Sequence, residues 1–358
     1  MANIDNIDEI KKIDQDGFLQ SLQEFPEQCE RCWKDWQSIP LPARFVQTKN
    51  IFITGMGGSN IGGALVAGLS SDIKIPVVIW RDYGVPGWVN KDTLVIAISF
   101  SGNTEETIDS LKKAAEETDK LITIASGGEL DVLSRKYKTT HYKINYLGQP
   151  RSSFGFLFTS TLAIFAKLKF LEISHDDFRE AMILLRGLQK KIDANVFTSS
   201  NQAKLLAKKL VDKIPIVFGS GPLERMARRW CNEFGENSKT ASFFQIIPEM
   251  NHNTLNGVEF PKNLGKIIFV LILQSKFDHP RNLIRQNVSV QVLDKHNIPC
   301  ETLMIEPAPT PLAEIIQFTL MGAYVSYYLG ILYDADPSKI PVVDFLKEKL
   351  AEYPVKEG

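Results

Sequence analysis

An excess of either charge, cysteine in number and long apolar stretches are all lacking in this chain, and each lack removes a class of function. The 41 basic residues are matched by 42 acidic ones, for a net charge of −1. Nothing in that balance attracts nucleic acid or an acidic membrane surface. The longest unbroken apolar run, Ile267 to Leu273, is far short of the roughly 20 residues that span a bilayer. The opening Met-Ala-Asn-Ile-Asp5 carries no apolar segment of the kind that directs secretion. Four cysteines in 358 residues are too few for a disulfide scaffold. Cys29 and Cys32 form a lone CxxC, while Cys231 and Cys300 stand apart. A zinc site would want a second matching pair, so the expectation is two cysteines on a helix surface and no bound metal. A reducing, cytoplasmic setting fits all of this.

What remains is an ordinary globular composition, 44% hydrophobic and 23% charged, in a length that suits two domains. Residues 4–41 are charged and aromatic, with Phe18, Leu19, Leu22 and Phe25 at helical spacing, and read as helices covering the edge of the next unit. From Asn50 onward short apolar runs alternate with helical patterns through about Phe170, the signature of a parallel sheet covered on both faces. Residues 172–210 read as a helical connection. A second alternation then begins with Ile214 to Phe218 and the turn Gly219-Ser-Gly-Pro222, and closes with a long apolar helix from Leu312 to Leu332. The order repeats the first, which points to duplication of one α/β unit. The expected division is 1–45 (helical segment), 46–185 (first unit) and 186–358 (second unit with a C-terminal helix, Val342 to Leu350).

The chemistry concentrates in Val95-Ile-Ala-Ile-Ser-Phe-Ser-Gly-Asn-Thr-Glu-Glu-Thr107. A buried strand runs straight into Ser99, Ser101 and Thr104, with Gly102 and Asn103 supplying the backbone freedom of a tight turn. Thr104 followed by Glu105 and Glu106 reads as a helix cap. A cap needs one hydroxyl and this turn has three, so they are read as donors converging on a phosphate or similar anion at a helix N-terminus. The other turn, Gly55-Met-Gly-Gly-Ser-Asn60, imitates the dinucleotide fingerprint GxGxxG but has Asn60 in place of the third glycine. Asp82 does stand where a ribose-binding acid would. Two adjacent strand ends, one Gly-Gly-Ser and one rich in hydroxyls, fit a single compact head group better than a dinucleotide. The second unit has Gln274-Ser-Lys-Phe-Asp278 at the corresponding place, so one phosphate site per chain is expected.

Gly57-Gly-Ser59 together with Ser99-Phe-Ser-Gly-Asn-Thr104 resembles the sugar isomerase (SIS) domain, a phosphosugar-binding module. The duplicated unit, Gln149-Pro-Arg151, Glu236-Asn-Ser-Lys239 and Asn251-His-Asn253 resemble, more narrowly, the bifunctional phosphoglucose/phosphomannose isomerase family. The resemblance implies two SIS-type domains, each an αβα sandwich around a parallel sheet. It implies phosphate binding by Gly58, Ser59, Ser99, Ser101 and Thr104, and a homodimer whose active site lies near the subunit interface. Within that site the ring-opening His252 would come from the neighbouring chain. Asn60 departs from the family pattern, as do Phe234 and Gly235 ahead of Glu236.

Moving a carbonyl between C1 and C2 of a phosphosugar needs a carboxylate over both carbons, a cation beside the enediolate and a proton donor to open the ring. No step needs a metal or a redox cofactor. Glu236 is the candidate base, with Glu233 as the alternative. His252, on a loop among asparagines, is the candidate ring opener, because imidazole titrates near working pH. Arg151 cannot lose its charge and suits the enediolate. Lys347 enters only through the family's pattern near the C-terminus. Two other functions fit parts of the sequence. A non-catalytic phosphosugar sensor would bring a DNA-binding helix-turn-helix and a basic face, and neither is visible. A Rossmann-type NAD(P) oxidoreductase is disfavoured by Asn60 and the hydroxyl turn.

Overall fold

The computed structural model describes residues 2–69, 73–148 and 150–353. Helices α1 (Ile7–Ile13), α2 (Phe18–Gln23) and α3 (Phe25–Ser38) come first. Asn6 caps α1 by accepting from the N–H groups of Asp8 and Glu9, and Pro26 takes the first turn of α3, where a missing N–H costs nothing. The first sheet unit is made of β1 (Asn50–Thr54), α4 (Gly57–Ala67), β2 (Val77–Trp80), β3 (Thr93–Ile98), α5 (Glu105–Glu117), β4 (Leu121–Ala125), α6 (Gly128–Lys136), β5 (Thr140–Lys143) and α7 (Phe154–Lys167). Its five strands are all parallel, in the order β2-β1-β3-β4-β5. The central strand β3 is buried at every position, as its unbroken apolar run requires. One face of the sheet packs Phe52, Val95 and Ala97 against Leu111 of α5 and Leu130 of α6. The other face is covered by α4 and α7, with α3 packed outside α7.

Helices α8 (His175–Ile192) and α9 (Gln202–Lys209) lead to the second unit. A capping box between Ser174 and Asp177 starts α8. Then come β6 (Ile214–Gly219), α10 (Glu224–Asn237), β7 (Phe243–Ile246), α11 (Leu264–Ile267), β8 (Ile268–Leu273), α12 (Pro280–Lys295), β9 (Cys300–Leu303), α13 (Pro311–Leu332) and α14 (Pro341–Ala351). Four parallel strands run in the order β7-β6-β8-β9. That is the first sheet's order without its fifth strand, so the two units share one topology. Strand order reverses between β1 and β3 in the first sheet and between β6 and β8 in the second. Crevices for ligands open at such points, outside the strand carboxyl ends.

Three features depart from the sequence reading. Strand β7 was not expected. Its Phe243 and Phe244 are exposed at the sheet edge, so it has no burial pattern to distinguish it from a loop. Cys29 and Cys32 do not lie on a helix surface. They are wholly buried where α3 meets α7, with Cys32 Sγ 3.4 Å from the Phe156 carbonyl, and burial pushes the Cys32 thiol up to about 12. Third, the long apolar helix α13 is a shared hub and not the property of one sheet. It packs on α8, α9 and α10, and every residue from Leu312 to Leu332 is buried. Gly322 lets α10 come close, since a Cβ there would stand 2.4 Å from Trp230 Nε1, which donates to the Phe318 carbonyl at 3.0 Å. That contact fixes α10, which carries two of the residues of interest.

Candidate active site

The first sheet's reversal point is built from three turns that brace one another. Gly57 adopts φ +51° at the start of α4. Two residues on, the buried Ser59 Oγ accepts from the Phe100 N–H at 3.2 Å, joining the glycine turn to the hydroxyl turn. Inside the hydroxyl turn Ser99 Oγ accepts from the Gly102 N–H at 3.1 Å and lies 2.8 Å from Thr104 Oγ1. Thr104 stands at the N-cap of α5 but makes no capping bond, so the sequence reading of a capping threonine is corrected: its hydroxyl faces Ser99. Gly102 has φ +73° and could not be replaced, because a Cβ would stand 1.8 Å from the Gly127 carbonyl oxygen. The third turn, after β4, closes the brace. Asn103 Oδ1 accepts from the Glu129 N–H at 3.0 Å, and Ser126 Oγ donates to the Phe100 carbonyl at 2.7 Å. The three hydroxyls are thus unequal: Ser99 is fully buried, Thr104 half-buried and Ser101 exposed.

Arg151 joins this cradle to the second unit. A Cβ on Gly58 would lie 3.8 Å from the Arg151 nitrogen, so the start of α4 and the turn Arg151–Ser153 are in contact. Gln149, part of the same motif, lies outside the described residues. The Arg151 side chain is only 8% exposed, and its Nη1 stands 3.5 Å from Glu236 Oε2. Its Nη2 donates to the carbonyls of Pro337 at 2.8 Å and Ser338 at 2.5 Å. Burial lowers the Arg151 pKa while Glu236 opposes the shift.

Glu236 sits on the last turn of α10 and is about one-third exposed. One turn earlier the buried Glu233 Oε1 accepts from Arg229 Nη2 at 2.5 Å. Burial pushes Glu233 up to about 7, against the pull of Arg229. Just beyond α10, Lys239 Nζ donates to the carbonyls of Glu236 at 3.0 Å, Asn237 at 3.3 Å and Asp336. Burial, helped by the nearby Arg151, lowers it to about 8. Two carboxylates, two guanidiniums and one ammonium therefore share a small volume beside the braced turns.

The other two candidates stand apart within the chain. His252 is exposed at the end of the turn Glu249–His252, and its ring has no hydrogen bond or ion pair among the described residues. Lys347 is exposed on α14. The structure thus brings together Gly58, Ser59, Ser99, Ser101, Thr104, Arg151 and Glu236, and leaves His252 and Lys347 outside. Arg229 escaped the sequence reading. Its signal was the spacing of Arg229, Glu233 and Glu236, which puts all three on one helix face.

The dinucleotide imitation fails in detail. Asn60 Nδ2 donates to the Trp80 carbonyl at 3.2 Å, stitching α4 to β2, and Asp82 Oδ1 accepts from its own neighbour, the Tyr83 N–H, at 2.8 Å. The second sheet's reversal point is different again. There Asp278 hydrogen-bonds Ser220, Gln286 Nε2 donates to Ser220 Oγ at 2.7 Å, and a Cβ on Gly221 would stand 2.6 Å from Asp278 Oδ1. A carboxylate of the chain itself lies against that turn.

Comparison with known proteins gives two family matches. Residues 44–167 match the SIS domain, and residues 199–350 match the bacterial phospho-glucose isomerase C-terminal SIS domain. A bifunctional phosphoglucose/phosphomannose isomerase of Caldicellulosiruptor bescii is 35% identical over 335 residues, covering 93% of this chain and 98% of that protein. Another, of Aquifex aeolicus, is 28% identical, covering 85% and 91%. Among solved structures, the tagatose-6-phosphate ketose/aldose isomerase of Escherichia coli shares the fold, with a TM-score of 0.70 over 92% of this chain and 97% of that one at 15% identity.

Proposed function

We propose, from the premise that this chain belongs to the bifunctional phosphoglucose/phosphomannose isomerase family, that it interconverts glucose 6-phosphate and mannose 6-phosphate with fructose 6-phosphate. The observation that carries the reading is the 3.5 Å pair of Arg151 and Glu236 set against the hydroxyl cradle. The phosphate would sit at the cradle, held by Ser101, Thr104, Ser59 and free N–H groups at the starts of α4 and α5, with Ser99 fixing the turn. The sugar would then extend toward Glu236. Glu236 takes the proton from one carbon and returns it to its neighbour, and Arg151 offsets the negative charge of the enediolate. The chain's own groups supply each of these steps.

His252 opens the ring from a second copy of the chain, and Lys347 supports the site. Two features support a homodimer: the exposed His252 ring, without a partner among the described residues, and the uncovered apolar side chains of α14, where Val342 is 80% and Phe345 60% exposed. We divide the chain into a helical segment at 1–45, a phosphosugar-binding unit at 46–185 and a second unit at 186–358, and assign it to the cytoplasm.

The test uses fructose 6-phosphate alone, without nucleotide, with aldose 6-phosphates and solvent-proton exchange at C1 and C2 followed by NMR in D₂O. Glu236→Gln keeps the shape but removes the base, and exchange should fall by about 10²–10⁴ or more. His252→Ala should fail on cyclic glucose 6-phosphate and keep much of its rate on an open-chain substrate. Wild-type exchange in Glu236→Gln would overturn the assignment.

A further inference from the structure

Several arginines of this chain end on carboxylates, as Arg44 does on Asp119, Arg135 on Asp131 and Arg186 on Glu27 and Glu30. Arg81, Arg225 and Arg228 do not. Among the described residues Arg81 has no hydrogen bond or ion pair, and the charges acting on it are those of the other two arginines. Burial and those two charges lower its pKa to about 10, so it stays charged at neutral pH. Arg225 Nη1 donates to the Ala64 carbonyl at 3.0 Å, and the Arg228 guanidinium lies 5.8 Å from the centre of the Phe244 ring. Neither pairs with a carboxylate among the described residues. The acids beside them in sequence are turned elsewhere: Asp82 accepts from the Tyr83 N–H, and Glu224 is exposed.

The fold brings the three together where the two units meet. Trp80 packs on Phe52 at the face of the first sheet that α5 covers. One residue on, Arg81 continues the opposite face, that of Val77 and Ile79, toward α4 and α10. Arg225 and Arg228 stand three residues apart at the start of α10, on one side of the helix. Arg225 lies along the end of α4, since a Cβ on Gly68 would be 3.6 Å from its Cδ. Strands β2 and β7, which carry or flank these groups, are the edge strands of their sheets. The place is therefore open to solvent, and all three arginines are partly exposed. Arg228 precedes Glu236 by eight residues, about 12 Å along α10, so this is not the Arg151–Glu236 site.

Three like charges held together, two of them at the positive end of a helix, cost stability when no anion answers them. Guanidinium groups match the paired oxygens of phosphate, and three of them exceed the charge of about −2 on one phosphate group. We infer that Arg81, Arg225 and Arg228 form a second anion site, between the two units, that takes a small molecule carrying two or more phosphate groups. Arg81 grips it from the first unit and Arg228 from the second, while Arg225, tied to α4 through Ala64, adds charge. The site is independent of the isomerisation and of which residue is its base.

The experiment is calorimetric titration of the full chain with inorganic pyrophosphate. Wild type should bind it, and Arg81→Gln and Arg228→Gln should each weaken that binding about tenfold or more. Ser101→Ala, which changes only the hydroxyl turn, should keep the arginine-dependent binding. Absence of binding to wild type would overturn the inference, and so would binding that both arginine variants retain. Sedimentation equilibrium in the absence of pyrophosphate tests the other source of negative charge. If Arg81→Gln loses a self-association that wild type shows, the arginines answer carboxylates of a second copy and the inference falls. Should Arg81→Gln fail to fold, Arg228→Gln decides alone by the same two measurements.

Discussion

At the residue scale, the three hydroxyls of the cradle divide their labour. Ser99 is enclosed and spends its oxygen on the Gly102 N–H and the Thr104 hydroxyl. Ser101 is exposed and Thr104 half-buried, so these two are the ones open to the proposed phosphate. Ser99→Ala should therefore cost stability, by about 1 kcal/mol for a lost internal hydrogen bond, with a smaller effect on affinity in the same sample. Ser101→Ala should leave the melting temperature unchanged and weaken sugar phosphate binding, since each charge-assisted bond contributes about 1.5–3 kcal/mol. Calorimetric titration beside a thermal melt checks both, and equal effects of the two substitutions on both readouts would contradict this division. That Ser99, Ser101 and Thr104 belong together was legible in their spacing. Which of them faces outward was not, because the turn Ser126–Glu129, distant in sequence, closes over Gly102 and Asn103.

At the scale of elements, the two helices that bound the second unit show how composition and burial part company. Helix α13 is apolar enough to cross a bilayer and is instead enclosed by α8, α9 and α10. Helix α14 has no buried residue in the chain, with Val342, Phe345, Leu346 and Leu350 all more than half exposed. An apolar stripe left in water on a short helix gives it little reason to stay folded. A second copy of the chain would cover it. Removing residues 341–358 should convert a dimer to a monomer in sedimentation equilibrium and lower isomerase activity at least tenfold. A truncated protein that remains dimeric and active would remove α14 from the interface and Lys347 from the site.

At the scale of the whole molecule, one buried acid outside the site reports on folding. Glu314, in the first turn of α13, is almost fully buried and has one carboxyl oxygen unpartnered. Burial pushes it up to about 7, only partly opposed by the Ser275 hydroxyl and the Lys276 N–H. Between its unfolded value near 4.5 and about 7 the folded protein holds a proton that the unfolded chain has released. Stability from this group is therefore full below that window and falls as pH rises through it, by at most about 3 kcal/mol. Glu314→Gln should flatten that part of the denaturant-midpoint profile between pH 5 and pH 7.5, and an unchanged slope would rule out burial of this carboxyl as the cause. The sequence by itself determined the alternation of strands and helices, the repeated unit and the motif residues of the cradle, because apolar period and turn chemistry are local. It also held the residues that identify the family. Only the tertiary structure decided that Arg151 reaches Glu236 across 85 positions of chain, that Arg229 and Glu233 are buried behind them, and that Asp278 lies against the second turn. Those contacts arise from how α7, α10 and α13 pack, and packing between distant segments leaves no periodicity in the chain for a sequence reading to find.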